Sequence, residues 1–108
     1  AIVAHSMGAR MGNHYLAQAI DAGVDAWVAI GLQGEFTAPG ALKAPVLDIF
    51  GELDQPAVRE GAPARAAVRR GLRGSAQVQV AGADHFFGGM EAELVRRIRL
   101  FLDARLRP

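Results

Sequence analysis

Four short apolar runs, alternating with stretches of helical pattern, limit what this chain can fold into more than any other feature. The runs are residues 1–5, 26–30, 45–50 and 76–81, the third interrupted only by Asp48. Helical patterning covers 7–22, 56–73 and 91–106. A strand followed by a helix, repeated, requires a crossover connection and so a parallel sheet. Runs that are apolar at successive positions fit a sheet covered by helices on both faces, because both sides of each strand are then buried. The expected class is therefore α/β, a parallel sheet with flanking helices. No internal repeat, low-complexity tract or linker interrupts the pattern.

The helices carry their own signals. Met11, Tyr15, Leu16, Ala19 and Ile20 fall on one stripe at helical spacing, and Gly23 supplies a C-terminal stop. Residues 56–73 are rich in alanine and arginine; helix is expected after Pro63 and in part before it. In the last helix, Leu94, Ile98, Phe101 and Leu102 face inward. Glu93 with Arg97, and Asp103 with Arg107, are favourable pairs four residues apart on its outer side. Residues 33–44 carry Gly34, Pro39 and Gly40 and read as a loop.

Composition excludes several classes. With 108 residues and 51% hydrophobic content, the chain is one domain or part of one and not a disordered tail. With no cysteine, it is neither a disulfide scaffold nor a cysteine-type zinc module. Three histidines without ligand-like spacing argue against a metal site. Twelve basic against eleven acidic residues leave a net charge of +1 and no large positive field for nucleic acid. Arg65, Arg69, Arg70 and Arg73 form a basic helical face, read as solvated. No apolar run reaches the ~18 residues of a membrane span, and no secretory signal pattern is visible. The lack of cysteine fits the cytoplasm and allows the periplasm. Lys43 is the one lysine among the twelve basic residues, and this arginine bias suggests a GC-rich bacterial genome.

Chemistry concentrates at three turns. Ala4-His5-Ser6-Met7-Gly8 lies between an apolar run and a helix, the setting of a nucleophile elbow. Small residues are needed two before and two after the serine, where the backbone passes close to itself. Ala4 and Gly8 meet that need, although alanine stands where glycine is usual. The helix starting at Met7 points its free N–H groups toward a developing oxyanion. Gly51-Glu52-Leu53-Asp54 follows the third run, and Gly82-Ala83-Asp84-His85-Phe86-Phe87 the fourth. All three turns lie at the carboxyl edge of the sheet, where open parallel sheets bind ligands.

The segments AHSMGA, PVLDIFGELD and GADHFF resemble the elbow, the acid-bearing strand and the histidine loop of the α/β-hydrolase superfamily. The serine, acid, histidine order is also that superfamily's. The resemblance spans nearly the whole chain. It implies the C-terminal part of an α/β-hydrolase fold, equivalent to its strands 5–8. It also implies Ser6 as nucleophile, His85 as base, Asp54 as acid and the Met7 N–H as an oxyanion donor. The activity implied is hydrolysis of carboxylic ester or thioester bonds through an acyl-enzyme, with no cofactor. Glu35 and Glu52 remain alternative acids. Forty-eight positions separate Ser6 from Asp54, and 31 separate Asp54 from His85. The first interval has no room for a lid domain, so residues 33–44 are the most that could close the site.

Further expectations follow. Residues 1–108 should be part of a longer hydrolase domain whose upstream half is absent, together with the loop that supplies a second oxyanion donor. The first strand should then be an exposed apolar edge, open to pairing with another copy. Asp48, inside an apolar strand, should be structural and bonded to backbone or an arginine. Asp84 should form a turn, His5 should pack beneath the elbow, His14 should lie at the surface or an interface, and Trp27 should be core. A competing reading is a hydrolase-fold domain used only for binding or assembly. It expects the three groups to lie beyond hydrogen-bonding reach.

Overall fold

A computed structural model describes residues 1–18, 24–37 and 43–106. Its elements in order are β1 (Ile2–His5), α1 (Met7–Gln18), β2 (Trp27–Ile30), β3 (Val46–Gly51), α2 (Pro56–Arg70), β4 (Ala76–Val80) and α3 (Glu91–Leu106). The four strands form one parallel sheet in the order β1-β2-β3-β4. The fold is α/β, a parallel sheet with flanking helices, as the alternating pattern predicts. Among the described residues no helix is long and apolar enough to cross a membrane.

Side-chain alternation along the strands sorts the core into two sides. Val28, Ile30, Leu47, Ile49 and Val80 point to one face, where Leu94, Ile98, Phe101 and Leu102 of α3 cover them. Each such side chain, fully buried, contributes ~1.5–3 kcal/mol. Trp27, Ala29 and Val46 point to the other face, against Ala9 and Leu16 of α1 and Val68 of α2. Phe50 packs on Val58 and Ala62 of α2. Glu93 on the outer side of α3 binds both Arg97 and Arg96 at 2.8 Å. Those hydrogen bonds hold its carboxyl down at about 2. Asp103 is described but Arg107 is not, so that second pair lies outside the described residues.

Three sequence expectations need correction. The inward stripe of α1 is displaced. Met11 and Tyr15 are 67% and 51% exposed, while Ala9, Asn13 and Leu16 are buried. The cause is close approach of helix to sheet. A Cβ on Gly12 would lie 2.9 Å from the Trp27 ring, so small residues face the strands and Trp27 fills the volume from below. Ala19, Ile20 and the Gly23 stop fall outside the described residues. The second correction concerns α2, which runs without a break through Pro63. Its buried face, Val58, Ala62 and Arg65, spans the proline and holds both halves against β3.

Arg65 corrects the solvated basic face. It is fully buried and donates from Nε to Asp48 Oδ2 at 2.8 Å, and through its other nitrogens to the Gly34 and Val58 carbonyls. Asp48, also fully buried, receives Gln77 Nε2 on the same oxygen at 2.8 Å. Ala29, Asp48 and Gln77 share one row of the sheet, so neighbouring strands deliver the polar pair in register. Asp48 is thus structural, as expected, and its partner is an arginine. Burial pushes its carboxyl above the ordinary value, against the pull of Arg65 and Gln77.

Candidate active site at the carboxyl edge of the sheet

Ser6 sits in the turn between β1 and α1 with φ +57°, a left-handed conformation uncommon for any residue but glycine. The strain lifts its hydroxyl above the strand ends. Its carbonyl accepts the Arg10 N–H at 3.1 Å, so the first helical turn begins at the serine. The N–H of Met7, at the start of that helix, has no partner within the helix. A Cβ on Gly8 would lie 3.7 Å from that of Ala4, so the turn brings these two small residues face to face.

Asp54 lies in the turn after β3 and His85 in the turn after β4. These two turns are sewn together. Leu53 N–H donates to the Ala83 carbonyl, Gly82 N–H donates to Glu52 Oε1, and a Cβ on Gly51 would overlap the Ala83 carbonyl oxygen. Asp84 accepts the Phe86 and Gly88 N–H groups and so fixes the histidine turn. The Gly88 N–H leads the contacts that hold its carboxyl below the ordinary value.

These turns bring Ser6, His85 and Asp54 into one line. Ser6 Oγ is 2.7 Å from His85 Nε2, and His85 Nδ1 is 2.6 Å from Asp54 Oδ1. A carboxylate can only accept, so the ring proton sits on Nδ1 and Nε2 is free to accept the serine proton. Asp54 is held by the N–H groups of Gln55 and Gly51 at 2.8 and 3.3 Å. Both His85 and Asp54 are buried, at 5% and 2% exposure. The structure does not bring Glu52 or Glu35 to the imidazole: Glu52 binds the Gly82 N–H, and Glu35 is exposed. The wide separation that a binding-only domain predicts is not found. Among the described residues no group of three or more His, Asp or Glu could hold a metal ion.

Sequence reasoning missed two contributors. His5 does more than pack beneath the elbow: its Nε2–H donates to the His85 carbonyl at 2.8 Å, and the two rings lie 5.0 Å apart. The covalent bond from His5 to Ser6 and two hydrogen bonds to His85 make a closed ring around the serine. Gly31, just after β2, has φ +65° and faces the imidazole; a Cβ there would stand 3.0 Å from His85 Cε1. The signal for Gly31 was a glycine at a strand's carboxyl end, one strand from the elbow. Gly31→Ala should displace the imidazole and lower turnover of any Ser6-dependent reaction ~10²-fold, with little change in KM. Steady-state kinetics with an unchanged far-ultraviolet spectrum checks this.

No protein-family model matches the chain, and no curated protein sequence does. A crystal structure of a protein of unknown function from Agrobacterium tumefaciens, provisionally described as an alpha/beta hydrolase, is similar in fold. The two share 23% identity and a TM-score of 0.70, over 94% of this chain and 48% of the other. This chain thus spans about half the length of that protein. The likeness is to part of an α/β-hydrolase fold.

Proposed function

We propose that this chain carries the catalytic half of a serine hydrolase acting on carboxylic ester or thioester bonds. The observation that carries the reading is the line Ser6 Oγ–His85 Nε2, His85 Nδ1–Asp54, with the proton placed for base catalysis. In this reading Ser6 Oγ attacks the acyl carbon while its proton moves to His85 Nε2. Asp54 holds the tautomer and stabilises the imidazolium. The Met7 N–H, at the positive end of α1, donates to the carbonyl oxygen as it gains charge. Collapse expels the alcohol or thiol with the proton from His85. Water, deprotonated by the same ring, then releases the acid and restores Ser6.

The fold similarity over half of a longer chain supports a further part of the reading. These residues form the second half of a hydrolase domain, and the other half supplies a second oxyanion donor. The substrate is a small ester-like molecule. The edge strand β1 is the surface at which another strand, of this chain or of a second copy, would pair.

p-Nitrophenyl acetate tests the chemistry. Mixing should release a rapid burst of p-nitrophenol of about one equivalent per protein, followed by slower steady turnover. Absence of both the burst and any turnover would contradict the assignment.

A further inference from the structure

An open cleft of about 740 Å³ runs along α1 on the side facing residues 33–37. Each wall begins one or two residues along the chain from a residue of the site. One starts at Met7, peptide-bonded to Ser6. The other starts at Gln33, two residues past Gly31, which faces the His85 ring. Buried Asn13 fixes the spacing of the walls. Its Nδ2 donates to the Glu35 carbonyl at 3.1 Å and its Oδ1 accepts the Thr37 N–H at 3.0 Å. The cleft is therefore bolted in place by a side chain with no role in the proposed chemistry.

Its lining is apolar where a linear group would lie. Met7, Met11 and Tyr15 recur every four residues along α1, a stripe of ~12 Å. Among the described residues they are 72%, 67% and 51% exposed, large apolar side chains along the helix that begins next to the serine. The unbranched methionines adapt their shape to a flexible apolar occupant. Arg10 and Glu35 line the same cleft with opposite signs, so no net charge selects an ionic ligand.

We propose that this cleft is the subsite for an unbranched alkyl chain of the ester, and so that the preferred substrates are medium-chain and not acetyl esters. The inference rests on the hydrolase reading for its ester but can be tested without turnover.

The chain has three methionines: Met7, Met11 and Met90. Met90 packs on the α3 side of the sheet and serves as an internal control. In protein labelled with ¹³C at the methionine methyls, the signals of these three residues are assigned with Met7→Leu, Met11→Leu and Met90→Leu. Octanoate should shift Met7 and Met11 and leave Met90 in place, while acetate at the same concentration should shift none. Movement of all three signals, or of none, overturns the subsite.

Turnover then tells which side of the ester is held. Met11→Asp should lower the ratio of p-nitrophenyl octanoate to p-nitrophenyl acetate hydrolysis at least ~10-fold if the acyl chain lies there. It should lower the ratio of octyl acetate to ethyl acetate hydrolysis if the alcohol chain does. No change in either ratio overturns the proposal. A protein whose methyls respond to octanoate but which hydrolyses no ester keeps the subsite and loses the hydrolase reading.

Discussion

Ser6→Ala, His85→Ala and the double variant should lose ester turnover by nearly the same factor, about 10⁶, and not by the product of two factors. The reason is the geometry of the line. In the proposed chemistry Ser6 Oγ, 2.7 Å from Nε2, acts as a nucleophile only while that nitrogen can take its proton. The imidazole likewise has nothing to activate once the hydroxyl is gone. Asp54→Asn should cost less, about 10⁴. An amide N–H facing Nδ1 would turn that nitrogen into an acceptor and put the ring proton on Nε2, aimed at the serine. The ring would stay in place with the wrong tautomer. KM should change little in all four variants, because these groups act on the transition state and not on the bound substrate. Additive losses from Ser6 and His85, or an active Asp54→Asn protein, would mean that the three groups do not work as a unit. Kinetics on purified, folded variants reads both outcomes.

Arg65→Met should destabilise the fold by ~3–5 kcal/mol at pH 7, because it leaves the Asp48 carboxylate buried without its counter-charge. It also orphans the Gly34 and Val58 carbonyls, which now accept from the guanidinium. The sign of the pH dependence follows from Asp48. Its carboxyl is raised in the fold, so the native state binds more protons than the unfolded chain, and stability falls as pH rises. Without Arg65 the carboxyl should rise further, and the deficit should shrink between pH 7 and pH 5 as Asp48 takes up a proton. The pair replaced together, Asp48→Leu with Arg65→Met, should be more stable than Arg65→Met alone. Arg70→Ala, at an exposed position on the same helix, should change stability by no more than ~0.5 kcal/mol. Urea unfolding at the two pH values measures all of these. An Arg65→Met protein as stable as the parent would remove the pair from the account of how α2 is held.

Some of this architecture could be read directly from residues, and some could not. The parallel sheet followed from apolar runs separated by helical patterns, because crossover connections leave little choice of topology. The three turns were legible because small residues, a serine before a helix, and an acid and a histidine after strands are local features. The phase of α1 was not. Met11 and Tyr15 repeat as a buried stripe would, but the sheet lies against Ala9, Gly12 and Leu16, and only the Trp27 ring explains why. Arg65 was unreadable for the same reason. It belongs to a run of arginines by spacing, and only the register that lines up Ala29, Asp48 and Gln77 makes it a buried partner. His5 and Gly31 act on His85 from residues far away in the chain, a relation that no local pattern carries.

The proposed chemistry requires Ser6 to be a nucleophile activated by His85. A fluorophosphonate probe tests it most directly, since it bonds only to a serine activated in this way. After reaction, digestion and mass spectrometry should place one adduct on the peptide containing Ser6, and His85→Ala should abolish it. An unlabelled Ser6, or labelling that persists in His85→Ala, would contradict the account.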